Sequence, residues 1–335
     1  MNEAPYFEDL AVGDEFNGVP AVTLTEGHTA IHQALFGDRL LLPLNHELCQ
    51  KVTGHSRPLV NPSLVCNLAI GQSTIPSQRV MGNLFYRGLH FQRPVFVGDT
   101  LSTSTRVVGL KQNKIKEGRA ASGMVALEIH VINQTGGTVL LFWRCPMIPC
   151  RDPSATTELD DDFSVMPEEI SDERLVSQIP DWDYEYFRDN FKGKHFTDYK
   201  AGDAFEVEAR DTVTLAPELV RMTLNMAMTH TDATRGVYGK RLVYGGHTIA
   251  MAAAHISRVL PDLITILAWY KCDHLAPVFE YDILNTNVRI EEIISAESFG
   301  LAKLQVEVFA TRGPEAPETG ENIKVLDWHL VGLLA

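Results

Sequence analysis

The strongest constraint on this chain is that it repeats itself. Tyr6-Phe7-Glu8-Asp9-Leu10-Ala11-Val12-Gly13-Asp14-Glu15-Phe16 is echoed by His195-Phe196-Thr197-Asp198-Tyr199-Lys200-Ala201-Gly202-Asp203-Ala204-Phe205. Pro94-Val95-Phe96-Val97-Gly98-Asp99-Thr100-Leu101 returns as Pro277-Val278-Phe279-Glu280-Tyr281-Asp282-Ile283-Leu284, and Leu141-Phe142-Trp143 as Leu326-Asp327-Trp328. Three anchors in one order, at nearly constant separation, mean two homologous halves. A chain of 335 residues suits that division, because domains run to about 150 residues each. The expectation is a first domain over 1–150, a linker over 151–190 and a second domain over 191–335.

Each half shows the same α+β order. A strand (15–22; 204–215) precedes a helix (26–36; 217–228), a turn-rich segment and an apolar helix rich in small residues (62–72; 246–259). Four strands follow at 84–91, 100–112, 123–133 and 139–148, matched by 264–275, 283–294, 300–311 and 323–333. Val125-Ala126-Leu127-Glu128-Ile129-His130-Val131 alternates with period two, as an antiparallel strand with one wet face does. Gln134-Thr135-Gly136-Gly137 supplies a hairpin turn. One long helix against a bent antiparallel sheet fits this order. The linker carries Asp152-Pro153-Ser154, Asp160-Asp161-Asp162 and Pro167-Glu168-Glu169; it reads as solvated surface with a short helix near 171–178.

Charge narrows the function. With 43 acidic against 29 basic residues and a net charge of −14, nucleic acid is excluded as a bulk partner, since phosphate binding needs a basic face. No apolar run reaches the roughly 18 residues of a membrane span, and the first residues lack a secretory pattern. A cytoplasmic location, with no membrane partner, is the expectation. The five cysteines, Cys49, Cys66, Cys145, Cys150 and Cys272, show no paired CxxC spacing, so reduced, buried thiols are expected and no metal or redox cofactor is implied.

The Phe-x-Asp-x-x-x-Gly-Asp segments and the Pro-Val-x-x-x-Asp-x-Leu segments resemble the hotdog fold of MaoC-like dehydratases, and the doubled chain resembles the double-hotdog enoyl-CoA hydratases. Within them it is most similar to the mesaconyl-CoA hydratase (β-methylmalyl-CoA or 2-methylfumaryl-CoA dehydratase) family. Thr23-Leu24-Thr25-Glu26-Gly27, Gly109-Leu110-Lys111-Gln112-Asn113, Arg241-Leu242-Val243-Tyr244-Gly245-Gly246-His247 and Val325-Leu326-Asp327-Trp328 carry that likeness. His28 stands where the family usually has Asp. The resemblance implies a double hotdog, each unit a long helix wrapped by a bent sheet, and reversible hydration of a branched or dicarboxylic enoyl-CoA such as mesaconyl-CoA.

The wider hydratase group carries Asp-x-Asn-Pro-Leu-His. Here Asn225-Met226-Ala227-Met228-Thr229-His230 keeps the spacing with Asn for Asp. Hydrating an α,β-unsaturated thioester needs a base for the attacking water, a proton for Cα and a home for charge on the thioester oxygen. His230 suits the base; Asn225 cannot titrate, but its amide can orient water or substrate. Tyr244-Gly245-Gly246-His247 opens the second apolar helix, and glycines at a helix start let a ligand approach unpaired N–H groups. Gly245 or Gly246 is the expected oxyanion donor. His247 either faces the site or packs between the halves. In the first half Asn61-Pro62 replaces the glycine turn, and Pro43, not His, follows Asp38 by five; Asn45, His46 and His55 have no matching positions. That half is expected to shape the acyl pocket only. CoA phosphates have Arg87, Arg93, Lys111, Lys114, Lys240 and Arg241 as candidates, and Arg235 or Arg241 is proposed for an acyl carboxylate inside the pocket. Two other readings stay open: an acyl-CoA thioesterase, and a non-catalytic acyl-CoA binder. The fused halves permit a monomer, with a homo-oligomer as the alternative.

Overall fold

The computed structural model describes residues 3–167 and 169–335. Glu168 of the acidic linker motif, and Met1 and Asn2, lie outside the described residues. Both halves contribute to one continuous antiparallel sheet. In the first half β3 (Gly82–Phe91), β4 (Thr100–Gln112), β5 (Ser122–Ile132) and β6 (Thr138–Pro149) lie in the order β4-β5-β6-β3. In the second, β9 (Leu263–His274), β10 (Ile283–Ser295), β11 (Gly300–Thr311) and β12 (Ile323–Leu334) mirror it as β9-β12-β11-β10. The seam is the antiparallel pair β3–β9, with Tyr86 opposite Cys272. The two tandem hotdog units thus share one sheet, as the repeat demands.

The repeated motifs have a mechanical explanation. Asp9 and Asp198 accept hydrogen bonds from the backbone N–H of Tyr6 and His195, both at 2.9 Å, and so cap a one-turn helix. Gly13 and Gly202 adopt φ +97° and +95°, a region costly for a side chain. Asp14 and Asp203 then close the turn by accepting from Ala11 N–H and Lys200 N–H. In the second motif Asp99 and Asp282 accept from the N–H of Phe96 and Phe279 at 2.9 and 3.1 Å. Each carboxylate also meets an arginine, Arg57 at 3.0 Å and Arg312 at 2.7 Å.

Two helices fill the sheet. Every residue of α4 (Pro62–Gln72) is buried, and so is Gly246–Ser257 of α8 (Gly245–Val259). Each fully buried Leu or Ile here contributes about 1.5–3 kcal/mol. Gly246 lets the two helices close, because an added Cβ would collide with Asn67 Oδ1. All five cysteines are free and buried, as expected. Among the described residues no helix is long and apolar enough to cross a membrane.

Several expectations shift. The strand expected at 15–22 is two short pieces, β1 (Glu15–Phe16) and β2 (Val22–Thr23), interrupted by Gly18 and Pro20. Likewise 204–215 splits into β7 (Ala204–Glu206) and β8 (Asp211–Thr212). Helix α1 (Glu26–Phe36) is as read, and α2 (Leu41–Leu44) and α3 (His46–Thr53) occupy the turn-rich segment. The helix expected over 217–228 is only α7 (Ala216–Met222). The linker is not merely solvated: α5 (Asp172–Val176) and α6 (Tyr184–Asp189) bury Leu175, Tyr184 and Phe187 in a second apolar cluster with Leu42, Leu48 and Ile264.

Candidate active site

A cavity of about 210 Å³ lies where the halves meet. The second half supplies Asn225, His230, Tyr244, Gly245 and His274; the first supplies Thr74, Asn83, Tyr86 and Arg144. Asn225 and His230 therefore come together, as their spacing suggests.

The backbone around Asn225 explains why α7 stops early. Thr223 bends its hydroxyl back to Leu219 C=O (2.8 Å) and packs against Gly71, where a side chain would clash. Leu224 then adopts φ +54°, an unfavourable conformation for a leucine. The loop is tied to the first half: Met226 N–H donates to Thr74 Oγ1 and Met228 N–H to Gln78 C=O, both at 2.8 Å. Asn225 Oδ1 accepts from Ala227 N–H at 2.9 Å, which fixes the amide orientation and leaves the buried Nδ2 without a partner. This is a donor aimed at nothing in the protein.

His230 sits 5.5 Å from the Tyr244 ring, centroid to centroid. Its Nδ1 contacts Leu242 C=O at 2.8 Å; a carbonyl accepts, so Nδ1 carries the proton and Nε2 keeps its lone pair. Burial, reinforced by the nearby Arg144 charge, pushes the imidazole pKa down to about 4 against the Leu242 bond. His230 is a neutral acceptor at pH 7.

At the start of α8 Tyr244 gives no side-chain cap. The Gly245 and Gly246 N–H groups make no backbone hydrogen bond among the described residues, so the positive end of the helix is open. Gly245 lines the cavity, and a Cβ there would come within 2.7 Å of the His274 ring. Gly246 instead faces α4. The Tyr244 hydroxyl is spent on Asn67 C=O at 3.0 Å.

Other expected residues fall elsewhere. His247 is fully buried away from the cavity, bonded through Nε2 to Thr214 C=O at 3.0 Å and edge-on to Phe36 of the first half. Two residues along a helix is about 200° of rotation, so it cannot share the face of Gly245. Arg235, Lys240 and Arg241 are not inside the pocket. They belong to the loop whose Tyr238 and Leu242 reach it; Arg235 meets Asp232 and Lys240 meets Glu315. Arg87 and Lys111 are also paired, with Asp273 and Asp160 at 2.6 Å each.

Sequence reasoning missed Tyr86, Arg144 and His274. His274 is drawn down to about 4, chiefly by burial and further by His230, and its Nε2 lacks a partner. Arg144 and Tyr86 face each other across β6 and β3. A signal existed for Arg144 and for His274. Arg144 shares strand parity with the buried Leu140 and Phe142, a position where a charge is unexpected. His274 occupies the repeat position held by Phe91 in the first half.

The first half has a counterpart to this cavity. It is lined by Leu59, Val60, Pro62, Val65 and Phe91, where the second half has Leu242, Val243, Gly245, Thr248 and His274. Only about 30 Å³ remains, because Gln178, Pro180 and Trp182 of the linker occupy it.

No family model matches the chain. It is 30% identical over 302 residues to β-methylmalyl-CoA dehydratase of Chloroflexus aurantiacus, covering 84% of this chain and 81% of the relative. To mesaconyl-CoA hydratase of Cereibacter sphaeroides it is 27% identical over 330 residues, covering 94% and 92%. Among solved structures, a conserved hypothetical protein of Mycobacterium tuberculosis, described as a double hotdog, superposes with TM-score 0.89 at 43% identity over 99% of each chain. A protein of Chloroflexus aurantiacus described as a MaoC domain dehydratase gives TM-score 0.85 at 25% identity, covering 100% of this chain and 98% of the other. Together with the shared sheet and paired helices, these likenesses place the chain in the MaoC-like double-hotdog family of β-methylmalyl-CoA dehydratase and mesaconyl-CoA hydratase.

Proposed function

We propose that the chain is a hydro-lyase that reversibly hydrates an α,β-unsaturated acyl-CoA, of the short branched or dicarboxylic kind represented by mesaconyl-CoA. The single observation that carries this reading is the neutral His230, its Nε2 free, in one small cavity with the unpartnered Asn225 amide and the uncapped start of α8.

His230 Nε2 takes the proton from water as its oxygen attacks Cβ, and the resulting imidazolium returns a proton to Cα. The Nδ1–H bond to Leu242 C=O holds the ring in the tautomer this needs. Asn225 Nδ2 donates to the water or to a substrate oxygen. Negative charge gathering on the thioester oxygen is met by the first N–H groups of α8, Gly245 above all, which are oriented before the reaction begins. The wider hydratase group has Asp where this chain has Asn225, and an amide cannot titrate, so His230 moves both protons. The loop carrying Arg235, Lys240 and Arg241 supplies cations for the CoA phosphates outside the cavity.

A thioesterase would need a carboxylate or glutamine to drive water onto the carbonyl carbon. Among the described residues no Asp, Glu or Gln lines the cavity. The test is the enoyl-thioester absorbance, followed with mesaconyl-CoA and crotonyl-CoA while free thiol is titrated. Loss of the band without thiol supports the hydratase. Thiol release supports a thioesterase, and no change with either substrate supports a binder.

A further inference from the structure

We infer that Arg144 is the residue that holds a free carboxylate on the acyl group, and so sets the acyl specificity of the cavity. The inference deepens the proposed hydration, since it assigns the acyl specificity of the same cavity.

Arg144 lies on β6, 2% exposed, in the cavity wall. Its Nη2 donates to Ser73 C=O at 2.7 Å and Ser77 Oγ at 2.6 Å. Its Nε–H is buried and has no partner. Among the described residues no carboxylate lies within ion-pair reach of it, and none lines the cavity. Elsewhere in the chain comparable cations are matched: Arg87 with Asp273, Arg312 with the buried Asp282.

The facing phenols do not supply a counter-charge. Burial raises both Tyr86 and Tyr244 above the usual phenol range, so both stay neutral. An enclosed guanidinium without an anion is strongly disfavoured unless something else brings the charge. Neutral hydrogen bonds to Ser73 and Ser77 brace the turn that holds the Asn225 loop, but a brace needs no positive charge. The charge is explained by an anionic ligand group, and a guanidinium suits a planar carboxylate better than any other side chain. A cavity of about 210 Å³ leaves room for a short acyl chain only.

The test compares butyryl-CoA and succinyl-CoA by titration calorimetry. The two acyl chains have the same length and differ by a carboxylate in place of a methyl, and neither can be hydrated. The wild type is expected to bind succinyl-CoA about 30-fold more tightly, and Arg144→Gln to bring the ratio within about threefold. Equal affinities in the wild type overturn the inference, as does a preference that survives in the variant. If thermal melts show that Arg144→Gln does not fold, Arg144→Lys carries the same test. It keeps a donor for Ser73 and Ser77 but loses the planar fork, so the ratio must fall at least about fivefold; an unchanged ratio overturns the assignment. Because no turnover is read, the carboxylate preference can fail while crotonyl-CoA hydration stands, and the reverse.

Discussion

The pocket beside Tyr244 and its counterpart beside Asn61 are framed alike and differ in a handful of groups. In the first half Asn61 caps α4 by accepting from Ser63 N–H at 2.8 Å, and Pro62 removes another N–H. Asp38, five residues before Pro43, accepts from Asn61 Nδ2 at 2.9 Å and from Leu40 N–H at 2.9 Å. Trp182 then fills what space is left. In the second half the helix start is uncapped, Asn225 keeps a free donor, and among the described residues none of the linker lines the pocket. The half that holds the acid has tied it to the side chain that caps α4; the half that holds the histidine leaves Asn225 Nδ2 and His274 Nε2 without partners. Unsatisfied buried groups cost stability, so the second pocket trades local stability for an ability to bind.

The largest break in this comparison should come from His230→Ala. Removing the proposed base is expected to slow hydration about 10³-fold with the fold intact, measured by absorbance of the enoyl band. Gly245→Ala should cost about 10²-fold in kcat/KM, since its Cβ crowds His274 and displaces the thioester; the matching change Pro62→Gly should leave turnover alone.

Next comes pH. With His230 held near 4, kcat/KM should stay nearly flat from pH 7 to 5.5, whereas an ordinary histidine would lose about tenfold. An acid limb near 6.5 would show that the base titrates as an ordinary histidine, against the downward shift that burial gives His230. Stability carries the same sign: His32 at about 3 and His230, His247 and His274 at about 4 lie below their unfolded values. The unfolded chain therefore binds more protons between about pH 6.5 and 4, and the melting temperature should fall through that window. The smallest effect on activity belongs to Trp182→Ala. It should cost about 2 kcal/mol, below the roughly 3–5 of a fully buried Trp because the side chain is only half buried, and leave the hydration rate unchanged, read by denaturant melts beside the assay. A new activity in that variant would mean the first pocket is only blocked, not dismantled.

Much of the fold was legible because hydrophobic period and turn chemistry agree. Helices α1 and α4 and strands β4 and β11 stand at the residues the pattern marks. The site was legible only where it is local. Asn225, His230 and Gly245 sit within one short stretch, and the cavity gathers them. Arg144, Tyr86 and His274 arrive from distant strands, and only pleat parity or comparison of the two repeats would have flagged them. His247 and Arg241 misled by adjacency: helix rotation turns one away, and the loop carries the other outside. The linker misled by composition, since Leu175, Tyr184 and Phe187 are sparse among charges yet all buried.

The β3–β9 seam has a genetic consequence. In a dimer of identical single-unit chains, any mutation strikes both pockets at once, so Asn61-Pro62 on one side and Tyr244-Gly245 on the other could never coexist. Joining the units in one sheet and one reading frame uncouples their fates. One pocket can then carry residues that would abolish turnover in its twin, and its filled interior serves packing instead.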